Sequence, residues 1–131
     1  MEKNIINPWQ WQEQFGFAQG VEVSGSQQTL YCAGQTAISA EGSPLHKEDM
    51  RGQIRLSLDN LDELLQKAGY NLSNVVRLNI YTTDLDRFFA DYEVVITRLA
   101  SSGCKPSMTL LGVTRLAFPD LLVEIEATAV K

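Results

Sequence analysis

The stretch that most constrains the fold is Val123-Glu124-Ile125-Glu126-Ala127-Thr128-Ala129, where apolar and polar side chains alternate without interruption. Successive side chains of a strand point to opposite sides. Val123, Ile125, Ala127 and Ala129 therefore make one apolar face, and Glu124, Glu126 and Thr128 make a polar one. Such a strand belongs to a sheet with a core on one side only. The residues before it, from Pro106 onward, also read as a strand, and Phe118-Pro119-Asp120 predicts a tight corner joining the two, since proline fixes φ and cannot donate into a ladder.

Upstream, the apolar period changes several times. Residues 17 to 24 and 28 to 35 predict a hairpin around Gly25-Ser26-Gln27. From about Lys47 to Ala68, Met50, Ile54, Leu58, Leu61 and Leu65 recur at helical spacing, with Gly69 at the C-terminal cap and Leu56 off the stripe. Residues 75 to 82 return to a period of two, with Val76, Leu78 and Ile80 on one side and Val75, Arg77, Asn79 and Tyr81 on the other. A second helix follows, capped by Thr83 with Asp86 in the capping box, carrying Leu85, Phe88, Phe89, Tyr92, Ile96 and Leu99, and ended by Gly103. The order strand-strand-helix-strand-helix-strand-strand predicts one α+β domain over residues 1–131 with two crossover units. Trp9, Trp11 and Phe15 lie in an N-terminal arm, where aromatics more often anchor the arm onto the domain than stack on a ligand.

Charge removes several functions. The chain carries 11 Lys and Arg against 16 Asp and Glu, a net −5, and shows no basic cluster interleaved with aromatics, so it lacks the footprint a phosphate backbone requires. No apolar run approaches the roughly 20 residues that span a bilayer. Met1-Glu2-Lys3-Asn4 lacks the basic start of a secretory signal, which predicts a cytoplasmic location. Cys32 and Cys104 have no metal-ligand spacing and read as small hydrophobes; the single histidine, His46, sits in a polar loop.

Two helices of roughly 10 Å diameter cover only one face of a five-stranded sheet about 24 Å wide. The face with Arg77, Asn79, Tyr81, Glu124, Glu126 and Thr128 is then left uncovered. It reads either as a self-association surface with a site in it or as a solvated face with surface ion pairs.

Ala33-Gly34-Gln35, the run Leu78-Asn79-Ile80-Tyr81-Thr82-Thr83-Asp84-Leu85-Asp86, and Val123-Glu124-Ile125-Glu126-Ala127 together resemble the YjgF/RidA family, also called the L-PSP or reactive intermediate deaminase family. The resemblance extends over nearly the whole chain in element order. It implies a chorismate-mutase-like mixed sheet with two helices packed on one face, and a homotrimer with small-molecule pockets between subunits. The activity it implies is hydrolysis of reactive imines and enamines to keto acids and ammonia, with no cofactor and no metal.

The family's functional residues carry over unevenly. Glu124 matches the glutamate that would act on water, and Gly34 and the Thr109 hydroxyl also match. Met108 stands where the family has its pocket arginine, Ala33 where it has serine, and Phe17 where it has tyrosine. These ligand-binding positions change in one direction. Arginine holds a carboxylate through a bidentate charge-assisted pair, whereas Met108 offers a polarizable apolar stem, and Phe17 and Ala33 each remove a hydroxyl. The resemblance therefore implies a ligand less anionic than an imino acid. Two readings follow: a deaminase with an altered substrate, and a non-enzymatic metabolite-sensing or regulatory protein. The endoribonuclease or translation-inhibitor role attached to the family's name conflicts with the acidic charge.

Overall fold

A computed structural model describes residues 1–131. The elements are β1 (Glu2–Ile6), β2 (Gly20–Ser24), β3 (Thr29–Tyr31), α1 (Met50–Lys67), β4 (Val75–Thr82), α2 (Leu85–Ala90), α3 (Glu93–Ser101), β5 (Ser107–Gly112) and β6 (Val123–Val130). Short 3-10 turns span Trp11–Phe15 and Leu72–Asn74. The main sheet has the order β3-β6-β4-β5, with β4 and β5 parallel and the other pairs antiparallel. β1 and β2 form a separate antiparallel ribbon, which a single parallel bridge between Ala18 and Ser107 joins to the outer edge of β5. No helix is long and apolar enough to cross a membrane.

The helices lie on one face, as the alternation in β6 requires. Val123, Ile125, Ala127 and Ala129 are buried, together with Met50, Ile54, Leu58, Leu61 and Leu65 of α1. Asp49 caps α1 by accepting from the Gly52 amide at 2.9 Å, and Gly69 follows the helix at φ +80°, the left-handed conformation glycine tolerates. Leu56 is half-buried.

Several expectations require correction, and most concern partners rather than elements. The predicted hairpin of 17–24 with 28–35 does not form: β2 pairs with β1, and β3 pairs with the end of β6. Alternation marks a strand but does not name its neighbour. β5 and β6 do not form a hairpin either, because β4 lies between them. Their connection wraps the C-terminal end of β4, where the Thr83 amide donates to the Leu122 carbonyl and the Val113 amide to the Thr82 carbonyl. The apolar parity of β4 also shifts. A bulge between Val75 and Arg77 places Val75 on the buried side with Leu78 and Ile80, while Val76 is only half-buried.

The predicted second helix is two helices. Asp84, not Thr83, is the N-cap, accepting from the Arg87 amide at 3.1 Å. The break at Asp91-Tyr92 changes the helical phase, so Val95 is buried while Leu85 and Phe89 are exposed. Of the N-terminal aromatics only Phe15 anchors the arm, half-buried against the core beside Tyr92, while Trp9 and Trp11 remain 59% and 55% exposed. Two hydrogen bonds also hold the arm, the Lys3 ammonium donating to the Ser73 carbonyl and the Tyr92 hydroxyl to the Phe15 carbonyl.

Candidate functional site

On the uncovered sheet face the register places Tyr81 opposite Glu124, Asn79 opposite Glu126, and Arg77 opposite Thr128. The two carboxylates have different surroundings. Glu126 accepts from the Tyr81 hydroxyl at 2.5 Å and from the Asn79 amide at 3.0 Å. Its charge raises the Tyr81 pKa, chiefly through that hydrogen bond. Glu124 is half-buried and has no hydrogen-bond partner within the chain. Burial, and secondarily the charge of Glu126, raises its pKa above the ordinary carboxylate value. A half-buried carboxylate without a partner is the group on this face equipped to accept a proton or orient a water.

Gly34 explains how Glu124 is seated. Tyr31 pairs with Thr128 and Gln35 with Ile125, so the β3 side carries one more residue than β6 between those points. That extra residue is a bulge at Cys32-Ala33-Gly34, of the kind that re-aims a strand beside a site. It brings the Gly34 backbone against the carboxylate: a Cβ built on Gly34 would lie 2.5 Å from Glu124 Cδ and 2.8 Å from Cγ. Only a residue without a side chain allows this approach. Ala33 is exposed, and its carbonyl accepts from the Gln35 side chain at 3.2 Å. Beside this edge an open hollow of about 940 Å³ is lined by Leu30, Tyr31, Gly34, Gln35, Asn60 and Leu64, among others.

The remaining candidates lie elsewhere. Met108 registers with Leu78, which is buried beneath the helices, so it lies on the covered face. Its sulfur receives the Tyr92 hydroxyl at 3.5 Å, while the same hydroxyl donates to the Phe15 carbonyl at 2.7 Å. Phe17 is half-buried and comes to the start of β5 because Ala18 bridges Ser107 and donates its amide to Pro106. Thr109 registers with Asn79 on the uncovered face and accepts from the Arg77 guanidinium. The chain thus gathers Gly34 with Glu124 at one edge, and Phe17 with Met108 at the other.

Those two groups do not meet within one chain. β5 and β6 are two strand spacings apart, and Met108 and Glu124 are offset by three residues in register, which separates them by about 14 Å along the sheet. They also point to opposite faces.

Tyr92 links the N-terminal turn to Met108, a role its place in an apolar helical stripe does not signal. Nor does the sequence signal Gln12, which is fully buried with neither amide atom hydrogen-bonded. Gln53 is buried as well and satisfied, donating to the His46 and Asp120 carbonyls and accepting from the Leu122 amide. Both cysteines are buried free thiols whose pKa values burial raises, Cys104 to about 11. Neither thiol meets His46, whose Nδ1 faces Asp49 at 3.8 Å.

Comparison with known proteins places the chain. The endoribonuclease L-PSP family model matches residues 13–131. A RutC family protein of Pyrococcus horikoshii is 35% identical over 102 residues, covering 78% of this chain and 79% of that protein. The 2-iminobutanoate/2-iminopropanoate deaminase of Escherichia coli is 28% identical over 118 residues, covering 88% of this chain and 87% of that one. Among solved structures, the Rid-family protein YyfB of Yersinia pestis superposes with a TM-score of 0.88 at 35% identity over the full length of both chains.

Proposed function

This chain belongs to the YjgF/RidA family, and we propose that its single domain assembles as a cytoplasmic homotrimer that binds a small metabolite in pockets between subunits and hydrolyses an imine there. One observation carries the reading. Glu124 beside Gly34 and Met108 beside Phe17 form two groups on opposite faces of one sheet, with Met108 and Glu124 about 14 Å apart, so a pocket using both needs a second copy. The uncovered polar face and the hollow beside Gly34 are surfaces such a copy would complete. Similarity to a protein named as an imine deaminase supports the reaction class.

The step needs little machinery. Water adds to the imine carbon, the C–N bond breaks, and a carbonyl compound and ammonia leave. Glu124 accepts a proton from the attacking water and returns it to the departing nitrogen. A carboxylate whose pKa is raised by burial is a stronger base than a solvated one, which suits it to this exchange. Met108 replaces the guanidinium that would clamp a substrate carboxylate, so amino-acid-derived imines are poor substrates. That same loss favours a second reading, a metabolite sensor that binds without turnover. An RNA-cleaving role finds no support in the acidic charge.

The test is ammonia release from freshly generated imines, with light-scattering mass in parallel. A trimer whose activity disappears in Glu124→Ala with the mass unchanged supports the hydrolase. A trimer that binds and never turns over any imine makes the sensor the correct reading, and a monomer overturns the shared pocket.

A further inference from the structure

Around Met108 the side chains form an unusually aromatic surface. Trp11 packs edge-on against Phe15 at 6.4 Å and against Phe17 at 6.1 Å between ring centroids. Phe15 continues to Tyr92 at 6.4 Å, and Tyr92 to Phe89 at 6.3 Å and Phe88 at 5.5 Å. The rings are therefore one connected cluster spanning the N-terminal turn and α2, with Met108 against its Tyr92 member. Two of its rings, Trp11 and Phe89, are more than half exposed. The buried Tyr92 separates these two, and it is Trp11, with the half-buried Phe17 against it, that leaves an open aromatic surface beside β5 calling for an occupant.

The polar groups nearby narrow what that occupant is. The buried Gln12 amide, on the same turn as Trp11 and Phe15, is unpartnered. Arg77, one register position from Leu78 and Met108, is on the other face and committed to Thr109. The charged residues along this turn and the approach to β5, Glu13 and Lys105, are exposed, and Arg87 of α2 is committed to the Glu48 carbonyl. This half of the site thus offers an anion no dedicated cationic partner. Aromatic faces and thioether sulfur instead attract cations and other rings, and across the assembled pocket stands the Glu124 carboxylate.

We infer that the ligand of this pocket is an aromatic cation without a carboxylate, the iminium form of an imine made by two-electron oxidation of an aromatic primary amine at its C–N bond. The inference rests on the inter-subunit pocket proposed above and names its substrate class. The ring packs against Trp11 and Phe17, and the nitrogen faces Glu124. Hydrolysis is balanced with water alone: R–CH=NH2+ and H2O give R–CHO and NH4+, the water oxygen becoming the carbonyl oxygen as the C–N bond breaks.

The experiment uses Trp9→Phe protein, in which Trp11 is the only tryptophan, and follows its fluorescence during titration with three stable probes. 2-Phenylethylammonium has ring and cation, 3-phenylpropanoate has the ring with a carboxylate, and ethylammonium has the cation alone. The expected result is a saturable change with 2-phenylethylammonium and at least about tenfold weaker response to each of the others. Phe17→Ser should abolish the response, and Met108→Arg should invert the preference toward 3-phenylpropanoate. Equal affinity for the two aromatic probes overturns the inference. So does Trp11 emission that is already shifted to the blue in the trimer and indifferent to every probe, which makes the cluster a subunit contact. If Met108→Arg gains 3-phenylpropanoate while the parent protein ignores all three probes, the pocket stands and only the ligand class falls. If nothing binds either protein and the mass is monomeric, both fall.

Discussion

The contact between Gly34 and Glu124 can be measured without knowing any substrate. A methyl group at Gly34 would sit 2.5 Å from Glu124 Cδ, 2.8 Å from Cγ and 2.9 Å from Oε1. Ordinary contact begins near 3.4 Å, so the carboxylate must move by roughly 1 Å. The obstacle is the far end of a flexible side chain, so the fold survives, and an off-rotamer glutamate costs about 0.5–1.5 kcal/mol. Gly34 is not among the glycines with positive φ, so alanine can adopt its backbone and should gain about 0.4–1 kcal/mol by restricting the unfolded chain. In the parent protein these terms nearly cancel. In a Glu124→Ala background the obstacle is gone and the gain stands alone. The double-mutant cycle of Gly34→Ala and Glu124→Ala should therefore show a coupling of about 1 kcal/mol, or about 4 °C in Tm for a chain of this size. Thermal melts of the four proteins read it directly. Additive Tm values would refute the packing of Glu124 on the bulge. Where hydrolysis is measurable, the 1 Å displacement should also cost about 100-fold in kcat while leaving the trimer intact.

Three further outcomes follow from the packing. Gln53→Ala removes three hydrogen bonds of 2.8–3.1 Å from a fully buried amide, and should cost about 2–4 kcal/mol in urea unfolding while speeding hydrogen exchange at Leu122. Tyr92 and Cys104 have folded pKa values of about 12 and about 11 against ordinary values of 10.0 and 9.0, so the unfolded chain ionises first. Stability from these groups is complete below pH 9 and is lost as pH rises toward 12, which urea midpoints from pH 8 to 11 should track; a flat profile contradicts the burial. Glu124 has a raised folded pKa, so at neutral pH its ionised form opposes folding, and Glu124→Gln should leave Tm at pH 7 unchanged or higher even as any hydrolysis disappears.

The sequence made β6 and α1 legible because each has one apolar face repeated at a single period, and both faces are buried as read. It also identified the uncovered face, whose residues follow from the same alternation. It did not reveal which strands are neighbours. β4 separates β5 from β6, and the ladder bonds that decide this are made by backbone groups common to all residues. The Val76 bulge and the break at Asp91-Tyr92 escaped for a related reason, since each inserts a local change of phase that a periodic template reads through. In the candidate site, Glu124 and Gly34 each stand out in the sequence, yet their contact depends on the extra residue at Ala33-Gly34. Gln12, Gln53 and Tyr92 were not singled out because a buried polar group leaves no periodic trace.

On the proposed reading, the division of the site between two sheet edges has a consequence for how specificity changes. The carboxylate that would activate water is held by the Gly34 bulge that follows β3 and flanked by the Glu126, Tyr81 and Asn79 network on β4 and β6. The residues that would grip the ligand lie on the N-terminal segment and β5, with Met108 about 14 Å from Glu124 in the same chain. Substitutions in the second set, such as methionine for arginine at position 108, change the ligand's charge and shape without disturbing the first. Exchanging only Phe17 and Met108 for tyrosine and arginine should therefore move the preferred ligand toward carboxylates while the acid limb of any pH profile, set by Glu124, stays in place. A shift of that limb would mean the two edges are coupled through the sheet.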